Sequence, residues 1–243
     1  MVASIVAARE ASGTQAFDFL GHLLAAHPKN APAESAGMTR DELIDEVMTL
    51  IVAGHETTAS ALAWAWYEIA THPRVLERLL AAVDALDAGE IAQFCARPGA
   101  RLTFVDAVIR EVLRLYPPGW LLSRRALVPD RLGDHDIEAG DQLFISPYVL
   151  HRHADYWQAP ETFAPARFLA SGTPGHRFAF LPFAAGPRHC VGEQMAMTEM
   201  RAQLVTTLRR LRPVYAGNRA PRLESRINLR PGAGGVPLRW VRR

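Results

Sequence analysis

The sequence predicts a mainly α-helical chain with small β-sheets, and three observations carry that prediction. A long apolar run, Val47 to Ile69, follows a capped start at Thr39 and is stopped only by His72-Pro73. Two further helical segments follow, Pro73 to about Asp87 and Thr103 to Tyr116. Extended chain is confined to short pieces between Leu127 and Pro147 and to an Arg/Gly/Pro-rich tail from Pro213.

Taken in order, Ser12 to Leu24 reads as a helix and His27 to Gly37 as a Pro/Ala/Gly-rich loop. Thr39-Arg40-Asp41-Glu42 is a capping box, in which the threonine caps the helix and the glutamate three residues on reaches back to it. The helix it opens runs to Thr71, about 48 Å at 1.5 Å per residue. Residues His55, Glu56, Thr57 and Thr58 interrupt its apolar run, and charge at that place is costly in lipid. A core helix is therefore expected, with its second half apolar on nearly every face. Pro73 opens the next helix, and Pro117-Pro118 ends the one after it. Glu138-Ala139-Gly140-Asp141 reads as a turn before a strand over Gln142 to Ile145, and irregular chain runs from His151 to Pro182. Glu193 to Leu211 is strongly helical, and the tail is expected to form a strand pair.

The 243 residues are enough to bury a sizeable core. Hydrophobic content of 49% and charged content of 21% fit a soluble globular protein, and a net charge of +2 does not suggest a nucleic-acid binder. Met1 to Ala8 is apolar but has no basic flank and is too short to cross a bilayer. Two cysteines, Cys95 and Cys190, give no disulfide framework and fit a reducing, cytoplasmic compartment. Cys95 has nothing nearby to activate it and reads as structural.

Cys190 is different. It ends the stretch Phe183-Ala184-Ala185-Gly186-Pro187-Arg188-His189-Cys190, with Val191-Gly192 and a helix after it. A cation two residues before it and a helix N-terminus beyond it both favour thiolate over thiol, and the glycines let backbone approach a bound partner. A lone cysteine is more commonly a buried structural one. Here the segment resembles the haem-ligand loop of the cytochromes P450, whose fixed positions are met by Phe183, Gly186, Arg188, Cys190 and Gly192.

Three further segments carry the same resemblance in the family's order. Ala53-Gly54-His55-Glu56-Thr57 resembles the oxygen-binding stretch, which implies that Ala53 and Gly54 lie against the haem, that Thr57 hydrogen-bonds on the oxygen side and that Glu56 feeds protons from solvent. The bland alternative is a core threonine bonding its own backbone, with Glu56 and His55 reaching the surface. Glu111-Val112-Leu113-Arg114 and Pro160-Glu161-Thr162-Phe163-Ala164-Pro165-Ala166-Arg167-Phe168 resemble the family's structural pair of motifs, which implies a buried network of Glu111, Arg114 and Arg167.

From the resemblance the fold is expected to be the C-terminal part of the P450 fold: a long central helix at 39–72, the Glu-x-x-Arg helix at 103–116, and the ligand loop with its following helix at 183–211. Residues 1–243 are expected to form one partial domain without the N-terminal half. The implied cofactor is haem b with Cys190 as its axial metal ligand, Phe183 packed near the sulfur, and Arg188 and Arg124 (Arg125 lies one register away) on its carboxylates. The implied reaction is monooxygenation of a small lipophilic substrate by O2, with no nucleic acid involved. The sequence carries no flavin or iron–sulfur signature, so electrons are expected from a separate ferredoxin or flavoprotein reductase. Arg201, Arg209, Arg210 and Arg212 offer it a basic patch, although such a run is more often a solvated helix face. Pro118-Gly119-Trp120-Leu121-Leu122 and the Asn228 to Gly235 turn are candidate pocket linings. The alternatives are a P450-like peroxygenase or isomerase, and a truncated remnant with weak or no haem binding.

Overall fold

The computed structural model describes residues 1–14, 16, 18–25, 38–87, 89, 104–169 and 176–243. The chain forms two compact units, residues 1–56 and 57–243, and the division falls inside one helix. The expectations for Cys95, for His27 to Gly37 and for Thr103 lie outside the described residues.

In the first unit, α1 (Val2–Ser12) and α2 (Phe19–Ala25) accompany the start of α3 (Arg40–Thr71). Of the helix expected over Ser12 to Leu24 only the part from Phe19 forms α2; Ser12 instead ends α1, where Gly13 takes the left-handed φ of 60° and its N–H closes on the Glu10 carbonyl. Val2 and Val6, one turn apart, meet Leu43 and Val47 of α3 in a small apolar cluster. Arg9 donates two bonds to Asp18 (3.0 and 2.8 Å), and Arg40 pairs with Glu10 at 2.6 Å. The capping box closes reciprocally: Thr39 N–H donates to Glu42 Oε2 at 2.7 Å, and Glu42 N–H donates to Thr39 Oγ1 at 3.3 Å.

The second unit holds the rest of α3, then α4 (Pro73–Asp84), α5 (Phe104–Leu115), α6 (Pro147–Leu150) and α7 (Glu193–Leu208). Helix α7 stops at Leu208, short of the Leu211 expected, because Leu211 already begins a strand. Its core is built from the late residues of α3, with Trp64, Ala65 and Ile69 buried against Leu79 and Val83 of α4, Val108 and Val112 of α5, and Met200 and Leu204 of α7. The apolar face of α3 changes along its length: Met48, Ile51 and Val52 are exposed, whereas Ala61 onward turns inward. Trp64 stacks on Tyr116 with ring centres 4.1 Å apart, and Tyr116 Oη donates to the buried Glu68 carboxylate at 2.6 Å. That carboxylate also meets His72 at 3.1 Å.

Among the described residues, four two-stranded antiparallel sheets complete the unit. Strands β1 (Leu122–Arg125) and β4 (Gln142–Ile145) pair with Arg124 opposite Leu143, and β2 (Asp130–Leu132) pairs with β3 (His135–Ile137). The turn expected before β4 is present, with Gly140 at φ 100° and Asp141 N–H donating to the Glu138 carbonyl. The tail gives two ladders rather than one: β5 (Leu211–Tyr215) with β8 (Leu238–Arg242), and β6 (Leu223–Ser225) with β7 (Leu229–Pro231).

Candidate functional site

Two neighbouring constructions in the second unit concern function. The first is a buried ionic cage. Glu111 and Arg114, three apart on α5, share one helix face and are both fully buried. Arg114 Nε and one Nη grip the two Glu111 oxygens at 2.8 and 2.9 Å. Its remaining N–H groups donate to the carbonyls of His151 (2.9 Å), Pro160 (2.6 Å) and Thr162 (3.1 Å). All the donors of the guanidinium are thus used. Glu111 Oε1 also accepts from the Ala164 N–H at 2.8 Å and from Arg167 Nε at 3.0 Å. Arg167 lies on a 3₁₀ turn, Pro165–Phe168, and its other nitrogens donate to the carbonyls of Gln158, Ala159 and Thr162. The network expected from Glu111, Arg114 and Arg167 is present, and it fastens the irregular 157–168 segment to α5.

The second construction is the Cys190 loop. Phe183 packs against the core, and its carbonyl accepts the Cys190 N–H at 2.9 Å, so the loop closes on itself. Two left-handed residues turn the chain between them, Ala184 at φ 61° and Gly186 at φ 71°. A side chain at 186 would be strained, which explains the glycine; Ala184 bears that strain itself. A 3₁₀ turn, Gly186–Arg188, leads into the exposed Cys190. Gly192 then caps α7, and a Cβ placed there would stand 3.8 Å from Cys190 Sγ. His189 Nε2 meets Glu193 at 2.6 Å, holding the last loop residue before the cysteine to the first turn of α7.

Helix α7 is itself anchored. Arg201 Nε donates to Asp106 of α5 at 2.6 Å, with both side chains buried. Arg201 therefore does not belong to a surface patch, and the basic patch expected of it is corrected; Arg209, Arg210 and Arg212 are exposed. A cleft of about 220 Å³ opens beside the loop, with Arg110, Phe183, His189 and Gln194 among its lining.

The remaining expected residues are placed as follows. Ala53, Gly54 and Glu56 lie on α3 in the first unit, with Ala53 and Gly54 exposed and Glu56 half-buried. Thr57, half-buried, opens the second unit on the same helix. Arg188 and Arg124 are exposed cations, and Arg124 donates to the Ser123 carbonyl at 2.8 Å. The two candidate pocket linings do come together: Leu229 N–H donates to the Pro118 carbonyl at 3.1 Å, and Trp120 Nε1 donates to the Arg226 carbonyl at 3.0 Å. Ser60 of α3 joins them through a 2.6 Å bond to the Leu229 carbonyl.

His151 was given no role by sequence. It is fully buried, its Nδ1 lies 3.2 Å from the Arg114 carbonyl, and its Nε2 accepts the Leu181 N–H at 2.8 Å. Burial pushes its pKa down to about 4, aided by the charges of Arg114 and Arg152. A single histidine in proline-rich, irregular chain has no periodicity that could have flagged it.

These elements make a mainly helical unit with small antiparallel ladders, a buried ionic cage and an exposed cysteine at the head of a helix. The cytochrome P450 family model matches residues 3–231, and the chain belongs to that family. It is 36% identical over 219 residues to cyclooctat-9-en-7-ol 5-monooxygenase of Streptomyces melanosporofaciens, covering 88% of this chain and 46% of the relative. It is 32% identical over 243 residues to thromboxane-A synthase of Macaca fascicularis, covering 95% of this chain and 45% of that one. The crystal structure of the cytochrome P450DA heme domain superposes on the whole chain with a TM-score of 0.84 at 26% identity, over 53% of its own length. The chain thus spans about half the length of the relatives it matches.

Membership implies haem held by a cysteine thiolate, and the residues present fit that group. Cys190 is an exposed thiol with its backbone already fixed by Phe183, and no other described cysteine competes for the role. Among the described residues no helix is long and apolar enough to cross a membrane.

Proposed function

We infer that the chain forms the proximal, ligand-bearing part of a haem-thiolate monooxygenase that inserts one atom of O2 into a lipophilic organic substrate. The observation that carries the reading is Cys190: an exposed thiol at the approach to α7, on a loop closed by its own N–H and clamped at both ends. The likeness to a relative whose name is that of a monooxygenase supports the reaction class.

In this reading Cys190 Sγ would hold the haem iron as a thiolate. Gly192 would keep bulk away from it, Gly186 would give the loop its left-handed turn, and Phe183 would exclude water from the loop side. Arg188 and Arg124 hold the haem carboxylates by charge, a role open to them as exposed guanidiniums. Ala53 and Gly54 give α3 a side without bulk, Thr57 holds a proton through its hydroxyl, and Glu56 relays protons from solvent. When bound, the haem supplies electron transfer and oxygen activation, which no side chain of this chain supplies. Electrons come from a separate ferredoxin or flavoprotein partner. The joined Pro118–Leu122 and Asn228–Gly235 segments are mostly apolar and select the substrate.

The test is a haem titration of the purified chain, followed by the reduced carbon-monoxide difference spectrum. A Soret band at the thiolate position is expected. A spectrum no different from haem in buffer refutes this chain as a haem-thiolate protein.

A further inference from the structure

We propose that His151 is a positioning residue for Cys190, a neutral imidazole strut that transmits the rigidity of the Glu111–Arg114 cage to the ligand loop. The inference rests on the haem-thiolate reading for its purpose, but its geometry stands apart from it.

The strut can be followed bond by bond. Arg114, locked by Glu111, presents its own carbonyl to His151 Nδ1 at 3.2 Å. On the opposite edge of the ring, Nε2 takes the Leu181 N–H at 2.8 Å. A backbone N–H can only donate, so Nε2 must carry no proton and Nδ1 must carry one. One tautomer alone satisfies both partners. Leu181 in turn accepts the Ala184 N–H on its carbonyl at 3.3 Å, which fixes the first left-handed residue of the loop. Two residues beyond Leu181, Phe183 receives the Cys190 N–H. The strut cannot drift, because Arg114 also holds the His151 carbonyl at 2.9 Å and the ring lies against Phe180, centres 5.2 Å apart.

A structural histidine would fill this space equally well with either half of its hydrogen bonding. A positioning histidine requires the Leu181 acceptor in particular. Two substitutions separate these roles. In His151→Asn the amide nitrogen can replace Nδ1 toward the Arg114 carbonyl, but the side chain is too short to reach Leu181. In His151→Gln the amide oxygen can replace Nε2 toward Leu181. Both lose the same aromatic packing.

Two readouts need no cofactor: hydrogen exchange of the Leu181 amide, and the rate of alkylation of Cys190 by iodoacetamide, followed by mass on the Cys190 peptide. In His151→Asn both are expected to rise about tenfold over the unmodified chain, as loss of one buried hydrogen bond implies. In His151→Gln both are expected to stay within about twofold. Equal behaviour of the two variants, or fast Leu181 exchange in His151→Asn with Cys190 alkylation unchanged, overturns the strut. A His151→Asn chain that does not fold beside a folded His151→Gln chain supports it. In the unmodified chain the Leu181 amide should be among the slowest to exchange between residues 176 and 193; fast exchange there overturns the proposal whatever the variants do. If the difference between the variants holds while the unmodified chain shows no thiolate Soret band, the strut stands and the haem reading alone falls.

Discussion

Around Arg114 every donor ends on a protein oxygen and nothing is left for solvent; around Cys190 the chain is exposed from Gly186 to Val191 and held mainly at its ends. Yet the two regions share a unit and are joined by α5, His151 and α7. The cage is finished by the polypeptide itself, since Glu111 and Arg114 pair their charges and the remaining guanidinium donors end on backbone carbonyls. The loop has its backbone fixed and its sulfur presented outward. The difference teaches how such a fold divides its labour: buried polar chemistry supplies rigidity, and that rigidity allows a strained, exposed turn to hold a thiol in place.

The sharpest way to break the cage is to leave one of its charges without the other. Glu111→Ala leaves the buried Arg114 without a carboxylate and should cost about 3–5 kcal/mol, a large share of the stability of an ordinary domain. Urea denaturation or the yield of folded chain reads this directly, and a loss below 1 kcal/mol would mean that the cage is ornamental.

The strut between the regions has a pH signature. His151 is held near 4 when folded, by desolvation first, against about 6.5 when unfolded. As pH falls below 6.5 the unfolded chain takes up a proton that the folded chain refuses, so stability declines from pH 6.5 to 4, by up to about 3 kcal/mol. Urea midpoints at pH 6.5 and pH 5 should diverge in the unmodified chain, and His151→Gln should remove most of that slope.

A smaller loss is expected from Arg167→Ala, which keeps the Glu111–Arg114 pair and removes only one arm of the cage. About 1–3 kcal/mol is expected, from its bonds to Glu111 and to the carbonyls of Gln158, Ala159 and Thr162. The smallest effect on stability belongs to the loop: Cys190→Ser should stay within about 0.5 kcal/mol of the unmodified chain, because the side chain is exposed.

Much of this was legible in sequence, for physical reasons that differ by region. The Thr39–Glu42 box, the Pro73 start and the turn at Glu138–Asp141 are local rules, so each appears where it was expected. The cage was legible only by resemblance, since no spacing rule relates Glu111 to Arg167 across a proline-rich stretch. Three things stayed hidden. The break at Gly13 rests on a single Ser-Gly pair, a weak turn signal inside an otherwise helical pattern. Arg201 looked like one cation in a solvated run, because its partner Asp106 lies 95 residues away in sequence. His151 acts through backbone groups at 114 and 181, and backbone partners leave no trace in residue identity.

The central claim is that the cage holds the fold while Cys190 holds the cofactor, and one comparison tests it most directly. The haem-loaded, reduced, carbon-monoxide-bound spectra of the unmodified chain and of Cys190→Ser should be recorded at equal folded protein. The unmodified chain should show the thiolate-type Soret band, and Cys190→Ser should lose it while keeping its unfolding midpoint. A band that survives in Cys190→Ser would contradict the account.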